Sequence, residues 1–156
     1  MDKVKINIDL FDYGSARIDI EDSVNKISLF PSYIFDGLQR LLIPILLLNK
    51  GLQEAECAIF CESPEIMLSF KQADEVVEVK VYEFYDFRER PLKDIIDKSE
   101  LVFTTRCKLK QLTNQIINAY YHLQESYGIE GYRKKWKNAF PEREFIELQE
   151  LIKKQK

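Results

Sequence analysis

The chain has few of the residues that catalytic and metal-binding sites use most. It contains one histidine, three cysteines and five glycines among 156 residues. The glycines are scattered, so that neither a G-x-G-x-x-G nor a G-x-x-x-x-G-K phosphate-binding loop occurs. The cysteines have no C-x-x-C spacing, whereas a tetrahedral zinc site needs four suitably placed ligands. The sequence therefore predicts no bound metal, no cofactor and none of the common nucleotide-dependent enzymes.

Long apolar segments are also missing. The most apolar stretch, residues 41–48, contains Pro44 and is much shorter than the roughly 20 residues of a membrane-spanning helix. Residues 1–10 alternate between polar and apolar side chains and do not resemble the apolar part of a secretory signal. Three cysteines without paired spacing favour buried thiols in a reducing compartment. We therefore expect a cytoplasmic protein that does not enter a membrane.

The remaining composition is that of a globular protein. Hydrophobic residues make up 46% of the chain and aromatic residues 12%, which argues against disorder. A chain of this length buries roughly 68–70% of the surface of its unfolded form, so we expect a single domain over residues 1–156. Charge is unevenly distributed within it, with a net charge of −8 over residues 1–100 and +5 over residues 101–156. An acidic, β-rich part thus precedes a basic, helical part, and this asymmetry favours a charged partner.

Alternating apolar and polar residues predict two groups of antiparallel strands. The first group covers residues 4–10, 16–20 and 27–29, and the second covers 55–61, 66–70 and 77–81, with an edge strand at 101–105. Ala73, Asp74 and Glu75 form a predicted hairpin connection. The alternation changes phase after Tyr82, which predicts a bulge or bend near Glu83.

Two helical regions complete the predicted fold. Residues 33–48 are apolar on most sides, which predicts a helix covered on more than one side, capped by Ser32 and followed by Gly51. Pro44 should kink this helix or end its regular part. Residues 109–127, 129–140 and 142–156 carry apolar side chains at helical spacing, and Gly128 ends the first of these segments. The expected fold class is α+β, an antiparallel sheet of about six to seven strands in two meanders separated by the buried helix, with the C-terminal helices packed on one face.

Acidic and aromatic residues are interleaved around the end of the second strand group. Glu78, Tyr82, Glu83, Tyr85 and Asp86 combine carboxylates, which speed association with a basic partner, with aromatic side chains that anchor many interfaces. Two alternatives are charged protection of exposed strands and aromatic side chains that belong to the core. Our leading interpretation is a non-enzymatic protein-binding module, such as a small inhibitor or immunity-type protein, that binds a basic protein through these five residues.

The basic part of the chain offers an alternative function. Its cations could form a phosphate-binding surface, because clustered lysines and arginines are the electrostatic footprint of nucleic-acid-binding proteins. The candidates are Arg106, Lys108, Lys110, Arg133, Lys134 and Lys137. A solvated basic face explains them equally well, and the net charge of −3 makes nucleic acid the less favoured partner.

His122 carries the third alternative, a small enzyme with a cleft around this residue. Glu125 lies one helical turn away and could orient the imidazole as a general base, with Tyr121 beside it. Cys107 lies about 22 Å away along a helix and cannot act as its nucleophile. A solvated helix face accounts for these residues without catalysis.

Residues 33–48 also raise the question of assembly. They carry more apolar surface than one face of a sheet needs to cover it. We expect most of this surface to lie in the core and part of it to form a homodimer contact.

Overall fold

The computed structural model describes residues 2–61, 64–85 and 90–155. Within them, two antiparallel sheets of three and four strands combine with helices, so the predicted α+β fold is confirmed. No helix in this part of the chain is both long and apolar enough to cross a lipid bilayer. The main core contains residues from Val4 to Leu148, so the acidic and basic parts of the chain share one apolar interior.

The first sheet is a meander in the order β1–β2–β3. Its strands are β1 (Lys5–Phe11), β2 (Ser15–Glu21) and β3 (Lys26–Leu29). Alternate residues such as Ile6, Ile8 and Ile18 are buried, while their neighbours face solvent. This is the period-2 pattern that a sheet with one covered face requires.

The second sheet is also a meander, in the order β4–β5–β6–β7. Its strands are β4 (Glu54–Ile59), β5 (Glu65–Ala73), β6 (Val76–Phe84) and β7 (Glu100–Lys108). Asp74 and Glu75 join β5 to β6 with positive φ angles of 50° and 68°, as expected of a two-residue hairpin turn. The predicted edge strand is confirmed as β7.

Four helices accompany the sheets in the described residues. They are α1 (Gly37–Asn49), α2 (Leu92–Ile95), α3 (Leu109–Trp136) and α4 (Glu142–Lys154). A single 3₁₀ turn, Ile96–Lys98, follows α2. Gly128 interrupts α3 with a φ of 67° and a ψ of 173°, so the predicted end of a helical segment at this residue is confirmed as a kink.

Helix α1 corrects two details of the sequence prediction. Its N-cap is Asp36, whose carboxylate accepts the Gln39 N–H, whereas Ser32 accepts the N–H of Ile34 in the preceding turn. The helix continues through Pro44 to Asn49, which excludes the alternative that its regular part ends at the proline. Its end was predicted correctly. Gly51 has a φ of 103° and donates its N–H to Leu48, and Leu52 donates to Leu47, which is the Schellman arrangement.

The predicted irregularity near Glu83 is confirmed, but it does not lie in β6 and does not cause the change of phase there. The pairing of β6 with β7 is irregular between Val81 and Tyr82, but the additional residue, Val102, belongs to β7. Strand β6 keeps an unbroken register with β5. Its outer side becomes apolar because α2 covers this end of the sheet. The small cluster there comprises Met67, Tyr82, Phe84 and Ile95.

Helix α3 protects the outer edge of β1. The side chain of Gln111 accepts the Val4 N–H at 3.0 Å and donates back to the Val4 carbonyl, while Gln115 accepts the Ile6 N–H at 3.1 Å. Two glutamines one helical turn apart thus satisfy backbone groups at the outer edge of β1 that a second neighbouring strand would otherwise use. The same helix buries its apolar face, including Tyr120, in the main core.

The three cysteines are buried, as the sequence predicts. Burial raises the pKa of the Cys61 and Cys107 thiols to about 11. Both thiols are therefore protonated at neutral pH and act as small apolar groups.

Candidate functional site

Several loops meet at one end of the two sheets. The β1–β2 turn and the segment that follows β3 lie together because Ser15 pairs with Ser32 across an isolated bridge. A second bridge joins Pro31 to Cys61, just beyond the end of β4, and Ser32 donates its N–H to the Phe60 carbonyl. Strand β5 pairs with β4 through Ile66 and Ile59 and with β6 through Ile66 and Glu83, so the end of β6 lies at this surface too. Local pairing thus brings distant parts of the chain to a common surface.

These loops enclose an open groove of about 530 Å³, which we call the aromatic groove. Its lining includes Tyr13, Phe30, Tyr33, Ile34, Cys61, Ile66 and Glu83. Tyr13 is 89% exposed and Phe30 57%, and Tyr33 and Ile34 are each more than 40% exposed. Large apolar side chains concentrated on one surface of a monomer indicate a binding site more often than isolated ones do.

The backbone adopts left-handed conformations at two places beside the groove. Tyr13 and Gly14 both have positive φ angles, of 67° and 75°, which forms a tight turn. A side chain at Gly14 would overlap the ring of Tyr33, so only glycine allows this close approach. Phe35 and Asp36 also have positive φ angles, of 64° and 38°. Such conformations persist only where the surrounding structure stabilises them.

Asp36 supplies that stabilisation on one side of the groove. Its Oδ1 accepts the indole N–H of Trp136 at 2.8 Å and the backbone N–H of Gln39 at 3.2 Å. Trp136 is fully buried at the end of α3, so this contact joins the turn before α1 to the C-terminal helices. Burial raises the pKa of the Asp36 carboxyl, and nearby Glu144 adds to the effect, although both hydrogen bonds favour the ionised form.

Among the described residues that line the groove, Glu83 is the only one with a charged side chain. It lies opposite Ile66 in β5 and therefore on the core-facing side of the second sheet, where Val81 and Leu68 also lie. On its other side it lies opposite Glu100 in β7. Two carboxylates thus occupy a directly paired position at the end of the sheet.

The predicted partner-binding residues do not form one surface. Glu78 lies on the outer side of the second sheet, and Tyr82 is only 8% exposed beneath α2. Glu83 faces the opposite side, towards the groove, and Tyr85 is 78% exposed beyond the end of β6. Asp86 lies outside the described residues. The alternation of β6 separates this set, and of its described members only Glu83 lines the groove.

The six basic candidates are likewise divided. Arg106 and Lys108 end β7, and Lys110 begins α3. The second group, which contains Arg133, Lys134 and Lys137, lies beyond the kink at Gly128, at the other end of α3. The part of the helix before this kink alone spans about 28 Å. The structure therefore presents two small basic groups rather than one continuous basic surface.

His122 is exposed on α3. Its Nε2 lies 3.7 Å from Asp9, and its Nδ1 lies 3.3 Å from the Ser126 hydroxyl. This brings together a serine, a histidine and an aspartate, but both contacts are long and the side chains are more than half exposed. Glu125 and Tyr121 are exposed as well. The aromatic groove and three other grooves of similar volume are lined by other residues.

Most of the aromatic groove is not predicted by the sequence patterns. The apolar character of residues 33–48 predicts one buried helix, and the residues from Leu38 onwards do lie mainly in the core. Tyr33, Ile34 and Phe35 instead precede the helix and are exposed. The sequence does carry one signal of this surface. Apolar residues stand on both sides of Pro31 and Ser32. These two turn-forming residues interrupt the apolar segment, which is then too short to form another strand.

Comparison of the chain with protein-family models, with curated proteins and with solved structures gave no match.

Proposed function

We propose that this protein is a non-enzymatic binding module whose partner is another protein that docks on the aromatic groove. The observation that carries the proposal is the group of exposed side chains Tyr13, Phe30, Tyr33 and Ile34 around one groove. Exposure of this apolar surface is unfavourable in water, and a protein partner would bury it. Tyrosine and phenylalanine are also enriched at the anchoring positions of interfaces.

A protein partner fits the groove better than a small molecule does. Small-molecule sites enclose most of the surface of their ligand, with the apolar and aromatic side chains lining a concave pocket. Here Tyr13 and Phe30 remain more than half exposed, and Phe35, the next exposed aromatic residue along the chain, packs edge-to-face on Phe60. The apolar surface therefore extends beyond the groove, as a macromolecular partner requires.

An inhibitor or immunity-type role is the biological form that we propose for this module. Such a protein covers a functional surface of its partner, and it needs a preformed docking face rather than catalytic residues. The net charge of −3 favours association with a basic protein.

The test is capture of the partner by tagged protein from a lysate of its own host, with groove variants measured beside the wild type. Phe30→Ala and Ile34→Ala should each reduce the recovered partner about tenfold or more, as loss of an interface anchor does. Ile129→Ala and Ile146→Ala remove side chains of similar exposure from α3 and α4, and they serve as matched controls.

Equal recovery by the groove variants and the wild type would refute the proposal. Nucleic acid that co-elutes and is removed by salt would instead support the basic alternative.

A further inference from the structure

The geometry points to a lysine or arginine side chain of the partner as the group that enters the aromatic groove, where it pairs with Glu83 and Glu100. This inference rests on the proposed function and specifies the chemistry of the partner segment. Binding of such a side chain has three requirements. The groove must contain a carboxylate that is not paired with a cation, and a second carboxylate must lie beside the first. The neighbouring surface must be apolar, so that it can contact the aliphatic part of the incoming side chain.

Glu83 meets the first requirement. It is half-buried on the core-facing side of β6, opposite the apolar Ile66 in β5, and it lines the groove together with Phe30. In the part of the chain that the structure describes, its carboxylate has neither a hydrogen bond nor an ion pair. A half-buried carboxylate of this kind loses some hydration without compensation from a charge partner.

Glu100 meets the second requirement. It is the direct cross-strand partner of Glu83 in β7, so both side chains project from the same face, with their Cβ atoms about 5 Å apart. No cation among the described residues pairs with Glu100 either. Like charges in this position repel each other, and a cation placed between them would relieve the repulsion and gain two ion pairs.

Glu78 lies on the same strand as Glu83 but, unlike Glu83, has basic residues beside it. Glu78 lies opposite Lys71 in β5 and opposite Arg106 in β7, and its carboxylate lies 3.5 Å from Lys80. The outer side of the sheet therefore neutralises its acids with its own bases. Glu83 and Glu100, on the core-facing side at the groove end, instead lie opposite each other, and it is at this end that the apolar side chains of the groove are exposed.

The surrounding aromatic side chains meet the third requirement. Phe30 and Tyr33 line the same groove as Glu83, and the faces of such rings attract ammonium and guanidinium groups. The methylene groups of a lysine or arginine would contact apolar lining residues such as Leu29 and Ile66. An anionic side chain would meet repulsion here, and a purely apolar one would leave both carboxylates without a counter-charge.

The experiment uses immobilised full-length protein and four pools of synthetic peptides. The pools are identical mixtures of alanine, leucine, serine and tyrosine, except for a fixed central residue, which is lysine, arginine, glutamine or glutamate. Retention is measured by mass spectrometry at low salt and again at about 1 M salt, where the screening length falls to about 3 Å. The variants are E83Q and E100Q, with E78Q as a control that changes net charge equally, and F30A.

We expect the lysine and arginine pools to be retained up to about fivefold better than the glutamine pool at low salt, which corresponds to about 1 kcal/mol. E83Q and E100Q should abolish this preference, E78Q should keep it, and F30A should weaken the retention of every pool. Salt should reduce the preference in the wild type.

Three results would overturn the inference: equal retention of the lysine and glutamine pools, an unchanged preference in E83Q and E100Q, or no retention of any pool. In each case groove-dependent capture of a partner from the lysate would leave the proposed function intact. Loss of that groove dependence would instead refute the proposed function together with this inference.

Discussion

Asp36 should contribute more to stability than its position before a helix implies. Its Oδ1 accepts both the Gln39 N–H and the indole N–H of Trp136. Removing an N-cap side chain costs about 1 kcal/mol. Leaving the buried Trp136 N–H without an acceptor costs a further 1–3 kcal/mol or so. Asp36→Ala should therefore lower the free energy of unfolding by about 2–4 kcal/mol.

Chemical and thermal denaturation measure this loss directly. For a chain of this size, 1 kcal/mol corresponds to about 2–4 °C, so we expect the unfolding midpoint of Asp36→Ala to fall by about 4–16 °C. Asp36→Asn should remain within about 1 kcal/mol of the wild type, because its carbonyl oxygen can accept both hydrogen bonds and asparagine tolerates a φ of 38°. Asp12→Ala, which removes an exposed aspartate paired with Lys135, is the surface control and should change stability by less than about 1 kcal/mol.

The free energy of unfolding should also depend on pH through the Asp36 carboxyl, and the direction of its pKa shift fixes the sign. Burial raises the pKa of the Asp36 carboxyl above its ordinary value of 3.8. The protonated form is therefore favoured more in the folded state than in the unfolded state. The stability that protonated Asp36 contributes is therefore complete below the ordinary pKa of 3.8, and it is lost as the pH rises through the raised pKa of the folded state. Asp36→Asn cannot ionise, so its stability relative to the wild type should increase between pH 4 and pH 7.

Two outcomes would refute the reasoning about Asp36. The first is an Asp36→Ala variant with the denaturation midpoint of the wild type, which would mean that the Trp136 N–H finds another acceptor. The second is equal damage by alanine and asparagine, which would assign the effect to the carboxylate charge rather than to hydrogen bonding.

Two further predictions concern the edges of the sheets. Glu83→Gln and Glu100→Gln should each raise the free energy of unfolding by about 0.2–1 kcal/mol, because either change removes the repulsion between the paired carboxylates. The double variant should gain little more, and additive gains in a double-mutant cycle would contradict their direct pairing. Gln115→Ala should lower stability by about 1 kcal/mol and speed amide hydrogen exchange at Ile6, because the backbone N–H of Ile6 loses its acceptor. Unchanged exchange at Ile6 would show that α3 does not protect the edge of β1.

Local patterns predicted most elements of this fold. Period-2 alternation located the strands, because residues such as Ile6 and Ile8 must share one face. The glycines at 51 and 128 marked breaks that the structure shows as left-handed residues. Helix α1 continues past Pro44 because the loss of one hydrogen bond does not outweigh the burial of Leu41, Leu42 and Ile45.

The candidate site was harder to predict, since its residues are distant in sequence. Glu83 and Glu100 are paired only because β7 joins the second sheet with one additional residue. The sequence predicts Tyr82 as an interface residue, but in the structure α2 covers it. Sequence spacing along β6 shows which residues alternate, but it does not show which outer positions another element covers.

The sequence by itself determined the α+β class, the two meanders, the buried thiols and the uneven distribution of charge, because each depends on local periodicity or on composition. The tertiary structure alone decided which charges are neutralised and which apolar groups stay exposed. Glu78 has Lys71 and Arg106 beside it, whereas Glu83 has Glu100. The physical reason is that compensation of charge and burial of apolar surface both depend on distances between strands and loops, which only the packed chain specifies.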